Sequence, residues 1–96
     1  MISQRVTTDT TIYLGACKFF GAIVDGDGTN NFDVIVKDSA TEKFRAGVTA
    51  PGRYGGALLG NGQGDEDWIL IETSLVADIT GSGGGVTIYY AKVDPR

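Results

Sequence analysis

Hydrophobic and polar residues alternate along three segments of the chain. Such a period of two is typical of a strand with one buried face. The segments are NFDVIVKD (31–38), KFRAGV (43–48) and VTIYYAK (86–92), and their apolar positions are Phe32, Val34 and Val36, then Phe44, Ala46 and Val48, then Val86, Ile88 and Tyr90. The positions between them are polar or charged, except for Ile35, Gly47 and Tyr89. The pattern predicts three half-buried strands.

Two further segments, TIYLGACKFFGAIV (11–24) and DWILIETSLVADIT (67–80), have strand-like composition but exceed the usual strand length of about five or six residues. We therefore expect each to be bent, bulged or split. Gly15 and Gly21 are the expected bend points in the first segment, and Thr73 with Ser74 in the second.

The rest of the pattern favours an all-β protein. Apolar residues nowhere hold helical spacing for long, the chain has 15 glycines, and clusters of turn-forming residues recur along it. These are DGDGTN, DSATE, APGRYGG, GNGQGDED and GSGGG. The sequence predicts one domain over residues 1–96, a single antiparallel β-sandwich of jelly-roll or immunoglobulin-like type with seven or eight strands. Residues 1–8 form either an N-terminal arm that adds to a neighbouring subunit or an edge strand of the same sandwich.

Composition excludes several classes of function. The net charge is −4 with no basic cluster, which argues against nucleic acid as a partner, and no apolar run approaches the roughly 20 residues of a membrane span. The N-terminus lacks the pattern of a secretory signal. The chain has no histidine, which removes Ser-His and Cys-His nucleophiles and most transition-metal sites. Cys17, the single cysteine, shares the parity of Phe19 and Ile23 in its strand, and we expect a buried thiol rather than a reactive one.

The stretch DGDGTNN (25–31) raises the question of a metal site, because Asp25, Asp27 and Asn30 carry oxygen ligands. A helix-loop-helix calcium loop starting at Asp25 would need glycine at its sixth position and glutamate at its twelfth, where this chain has Asn30 and Val36. A less regular oxygen site remains an alternative. Since strand-like segments flank the stretch, a turn between two strands is the favoured interpretation.

Two glycine-rich stretches invite similar questions. In GNGQGDEDW, the acidic run Asp65, Glu66 and Asp67 is interpreted as a solvated loop, with a divalent cation site as the alternative. GSGGG (81–85) lacks the lysine and hydroxyl residue of a phosphate loop and leads into a strand, so it is predicted to be a hairpin.

Trp68 and the pair Tyr89–Tyr90 provide aromatic surface that would suit stacking on bases or sugars. Core or interface packing is the favoured interpretation, because no basic residues accompany them. The sequence therefore predicts no catalytic residue, no cofactor-binding residue, no metal ligand and no cofactor, and the chain is not expected to be an enzyme.

Three segments, LGACKFFGAIV, VIVKDSAT and SLVADITGSGGGVTIYY, resemble a type of small all-β protein from tailed bacteriophages. The corresponding patterns in that type are GxLxGxxV, VxVYDxAT and GLxVxxTGxGxxVTVxYR. The chain departs from them at Ser74, where the pattern has glycine, and in the continuation AKVDPR after Tyr90.

The resemblance implies a non-enzymatic virion structural protein, made in the host cytoplasm and located on the surface of the phage particle. Its most specific implication is a capsid decoration or cement protein, a homotrimer that contacts the major capsid protein and itself between capsomers. The alternative is a tail, neck or head-fibre component, either structural or binding a carbohydrate or host surface through exposed aromatics such as Tyr54 or Trp68.

Overall fold

A computed structural model of the protein describes residues 1–59 and 68–93, with the backbone alone at Leu58. These residues form nine strands and no helix: β1 (Ile2–Val6), β2 (Thr10–Leu14), β3 (Cys17–Asp25), β4 (Phe32–Asp38), β5 (Thr41–Val48), β6 (Tyr54–Leu58), β7 (Ile69–Ile71), β8 (Ser74–Gly81) and β9 (Gly85–Lys92). The all-β prediction is confirmed.

The strands build two antiparallel sheets. Sheet A has the order β1-β9-β3-β6, and β7 pairs with β3 beyond the end of β6. Sheet B has the order β2-β8-β4-β5. The two sheets pack face to face over one shared core, so the predicted antiparallel β-sandwich is confirmed.

The core consists of the inward positions of both sheets. It contains the alternating residues expected from the sequence, with Phe44 and Ala46 only partly buried at its margin. Its largest fully buried side chains include Phe19, Phe32, Ile71, Leu75 and Ile88. Burying each of these contributes roughly 1.5–3 kcal/mol relative to leaving it in water.

Both long segments are split, as expected. The first breaks at Gly15, whose φ of 124° is a conformation that glycine adopts readily, into β2 and β3. The second breaks at Glu72 and Thr73 into β7 and β8, and Ser74 is already the first residue of β8.

A bulge in β3 changes which residues face the core. Phe19 lies opposite Tyr90 and Gly21 lies opposite Tyr89, so Phe20 is an extra residue in β3. One extra residue reverses the parity of the remaining strand. Cys17 and Phe19 are buried as predicted, but beyond the bulge Ala22 and Val24 face the core, and Ile23 turns outward and is half-buried. The expectation that Ile23 shares the face of Cys17 is therefore wrong.

The hairpin prediction for GSGGG is also wrong. β8 belongs to sheet B and β9 to sheet A, so the glycines carry the chain from one sheet to the other, with positive φ at Gly81 and Gly83. Among the described strands, only β4 and β5 are consecutive in the chain and paired with each other. A glycine-rich turn signal does not encode whether the strands beside it are hydrogen-bonded to each other.

The strand count exceeds the seven or eight expected. Residues 54–58 form β6, although the first three of them belong to the predicted turn cluster APGRYGG. Gly55 suits this position because a Cβ there would lie 2.3 Å from the carbonyl oxygen of Gly47, at the corner where β5 and β6 meet. Glycine in a strand often marks such a close approach between backbones. In the sequence alone, however, a pair of glycines indicates a turn. Residues 2–6 form β1, which pairs with β9 of the same chain.

Candidate functional site: the outer face of sheet A

The outer face of sheet A is formed by the residues that alternate with its buried positions. On β9 these are Thr87, Tyr89 and Ala91, and their cross-strand neighbours on β3 are Ile23, Gly21 and Lys18. The adjoining strands add Ser3 and Arg5 from β1, Tyr54 and Gly56 from β6, and Leu70 from β7.

The centre of this face is apolar and low in profile. Ile23 lies between Thr87 and Gly56, and Tyr89 lies between Gly21 and Ser3. Ile23 and Tyr89 are both only half-buried. Because small residues flank these two side chains, they are accessible to a flat partner surface.

One ion pair closes the face at its loop end. The Arg5 guanidinium donates to both carboxylate oxygens of Asp25, at 2.7 and 3.2 Å, and so reaches across β9 from β1 to β3. Gly85 makes room for it, since a Cβ there would lie 2.4 Å from the guanidinium carbon. The hydrogen bond from Arg5 lowers the pKa of Asp25 below its ordinary value, and Asp25 in turn raises the pKa of Arg5.

The aromatic residues do not form a single stacking platform. Tyr90 is buried and its ring packs 5.9 Å from that of Tyr13, while its neighbour Tyr89 faces outward. Trp68 is stacked under the Lys18 ammonium at 4.8 Å from the ring centroid. Tyr54 is 78% exposed but lies beside Asp25, roughly 20 Å along β3 from Trp68 at about 3.3 Å per residue.

The outer face of sheet B has a different chemical character. It carries an ion pair between Lys37 and Asp78, and a bidentate pair from Arg45 to Glu42 with contacts of 2.9 and 3.1 Å. The Arg45 hydrogen bond lowers the pKa of Glu42. Ile35 and Val76 are half-buried on this face among those charged residues, so sheet A presents the less charged of the two outer faces.

The stretch DGDGTNN turns the chain from β3 to β4. One carboxylate oxygen of Asp27 accepts the backbone N–H groups of Thr29 and Asn30 at 2.8 and 2.9 Å, and the other accepts the Asn30 side-chain amide. These bonds, led by the Asn30 N–H, lower the pKa of Asp27. Asp25 points instead to Arg5, so the two carboxylates do not converge on one ion position.

Within residues 1–59 and 68–93, no three His, Cys, Asp or Glu side chains gather closely enough to hold a metal ion. The acidic run Asp65, Glu66 and Asp67 lies outside the described residues. Cys17 is fully buried, and its burial, followed by the nearby charge of Asp38, raises the pKa of the thiol to about 11.

Sequence reasoning assigned no role to Asp38, which the structure places at a junction between the sheets. Its carboxylate accepts the backbone N–H groups of Glu72, Thr73 and Ser74 at 2.8, 2.9 and 3.3 Å. These bonds, led by that of Glu72, lower its pKa. The partners lie 34 to 36 residues away in the chain, so no local spacing reveals them.

Comparisons of the chain with family models, curated proteins and solved structures found no match. No enclosed pocket lies among the described residues. In the same part of the chain, no helix has the length and apolarity needed to cross a membrane.

Proposed function

We propose that this chain is a non-enzymatic virion structural protein of a tailed bacteriophage, and more specifically a cement protein that binds the shell between capsomers. The virion setting rests on the resemblance of three segments to small phage proteins. The apolar outer face of sheet A is the observation that supports binding through a surface.

The physical basis of such binding is burial of Ile23, Tyr89 and their neighbours against a flat partner. Aromatic residues are enriched in interface cores, and small flanking residues allow close approach. Repetition over the lattice then adds many modest contacts into a strong attachment. The protein would bind the assembled shell and not the separated capsid subunits. Because a ligand stabilises the state that it binds, such binding raises the resistance of the shell to heat.

The test is incubation of purified protein with empty shells that lack it. We expect the protein to co-sediment with the shells in hundreds of copies, a number set by lattice symmetry, and to raise their melting temperature. We expect a homotrimer by light scattering of dilute protein. Failure to bind the shells would refute the cement function, whatever the mass in solution.

A matched pair of variants locates the binding face. Tyr89→Lys places a charge at the centre of the outer face of sheet A, whereas Thr80→Lys places the same charge on the exposed end of β8 in sheet B. We expect Tyr89→Lys to weaken shell binding at least about tenfold and Thr80→Lys to bind as the wild type does. Equal binding by both variants would show that the outer face of sheet A is not the surface that contacts the shell.

The second proposal is a tail, neck or fibre component that binds a carbohydrate or host surface. The exposure of Tyr54 favours it, since an exposed aromatic ring can stack on a sugar. Binding to a glycan array that is lost in Tyr54→Ala, with at most a few dozen copies per particle, would support this function over the first.

A further inference from the structure

The four lateral borders of the two sheets differ in how they are protected against pairing with another strand. A free strand edge presents unpaired backbone groups, and proteins normally block it with a bulge, a charge, a proline or a covering segment. On sheet B, β2 carries a bulge between Thr11 and Tyr13. The opposite edge, β5, carries a bulge near Lys43 and is approached by β6 where Gly55 meets Gly47.

On sheet A, one border is divided between β6 and the three-residue β7, so it offers no continuous edge. The other border is β1. It pairs with β9 through five consecutive residues without a register shift, and it contains neither proline nor glycine. Its one charged residue, Arg5, extends across the sheet to Asp25, so its charge does not block the pairing of another strand with β1. Among the described strands, β1 is therefore the edge that is regular and unprotected.

We propose that β1 pairs antiparallel with β1 of a second copy of this chain, joining two A sheets across a two-fold axis through Gln4. An edge strand without a bulge pairs best with another edge strand that also lacks one. Among the described strands of this protein, β1 is the edge strand of that kind, so the matching partner is β1 of a second copy. A two-fold contact of this kind uses the same surface on both subunits.

The residues of β1 match themselves in this register. Centred on Gln4, all five residues overlap: Ile2 meets Val6 of the second copy, Ser3 meets Arg5, and Gln4 meets Gln4. Ile2 is 37% exposed in the single chain, and in the pair its apolar surface gains the neighbour that it lacks. No like charges lie opposite each other, whereas a register centred on Arg5 would bring two guanidinium groups together.

The proposal is independent of the function proposed above. A trimer cannot use a two-fold contact within its own three-fold ring, so in a trimeric protein β1 would join one trimer to the next. In either case the prediction is that breaking the contact halves the mass of the assembly.

The test uses the fact that, in this register, Gln4 of one copy lies opposite Gln4 of the other. Gln4→Lys and Gln4→Glu each place two like charges at roughly 5 Å across the axis, whereas an equal mixture of the two variants places opposite charges there. We expect each variant alone to have half the mass of the wild type by sedimentation equilibrium, and the mixture to recover the full mass. Thr11→Lys on the bulged edge of β2 is the matched control and should keep the wild-type mass.

Protein concentrations reaching about 1 mM allow a contact with millimolar Kd to shift the average mass. Circular dichroism of each variant verifies that the fold is intact. A wild-type protein whose mass is that of an odd-numbered assembly at every concentration would overturn the proposal. So would variants that keep the wild-type mass, or a mixture that fails to recover it.

A cysteine pair provides a second measurement that does not depend on charge. Opposed residues in antiparallel strands have Cα atoms roughly 4.5–5.5 Å apart, which lies within the range for a disulfide. Gln4→Cys is expected to form a covalent dimer on mild oxidation, and Thr11→Cys is not. The native Cys17 is fully buried and does not compete. Equal cross-linking by both variants would indicate random collision and contradict the proposal.

Discussion

Removal of the Asp38 carboxylate should destabilise the fold more than removal of any carboxylate on the exposed face of the same strand. Asp38 ends β4 in sheet B and binds the turn that joins β7 of sheet A to β8 of sheet B. Asp38→Ala leaves those backbone N–H groups to water and frees the turn from β4.

The magnitude follows from the geometry. Two of the three contacts are short, at 2.8 and 2.9 Å, and the third is 3.3 Å. A hydrogen bond to a charged group contributes roughly 1.5–3 kcal/mol when it is shielded, but the two short bonds lie near solvent and their donors can be hydrated. We therefore expect each to contribute about 1 kcal/mol, and the variant to lose about 2 kcal/mol of unfolding free energy. For a domain of this size, that loss lowers Tm by roughly 8–16 °C.

The same interaction predicts a dependence on pH. The pKa of Asp38 is lower in the folded protein than its ordinary value of about 4. The stabilisation is thus fully present above the unfolded pKa and is lost as pH falls through the folded pKa. Compared with Asp38→Asn, the wild type should hold its largest advantage near pH 7, and the difference should shrink below about pH 4.

Urea and thermal unfolding monitored by circular dichroism measure both effects. The matched control is Asp33→Ala, on the exposed face of β4, which should stay within about 0.5 kcal/mol of the wild type. The reasoning fails if Asp38→Ala is as stable as the control at pH 7. It also fails if the advantage of the wild type over Asp38→Asn is unchanged between pH 7 and pH 3.

Three further predictions concern the core and the backbone. Gly56→Ala should lower the free energy of unfolding by at least about 1 kcal/mol, measured by thermal unfolding, because φ is +93° and a Cβ would lie 2.2 Å from the Ala22 carbonyl oxygen. A Cβ at Gly26 would make only ordinary contacts, so Gly26→Ala is the control and should lower it less. Cys17 should react with a thiol reagent at pH 8 only after unfolding, since the thiol is buried and its pKa is about 11; rapid labelling of the native protein would contradict this. Leu75→Ala should lose about 2–5 kcal/mol in urea unfolding, and a loss below 1 kcal/mol would show that the core at this fully buried position is looser than described.

Outside the core, the sequence indicated which residues carry polar chemistry but not where that chemistry is directed. The turn at DGDGTNN was predictable because Asp27 binds groups two and three residues away. The pairing of Asp25 with Arg5 was not, since the two residues are 20 positions apart and meet across β9. The outer face of sheet A was likewise not predictable as one surface, because its residues come from five strands.

Local order was determined by the sequence itself. The alternation at residues 31–38, 43–48 and 86–92 predicts strands and their buried faces, because neighbouring side chains in a strand point to opposite sides. The break at Gly15 is local too, since it depends on the backbone freedom of one residue. Tertiary structure alone decided which strands pair, that GSGGG crosses between sheets, and that the bulge at Phe20 turns Ile23 outward. Those outcomes depend on hydrogen bonds and burial between residues distant in the chain, which no local period encodes.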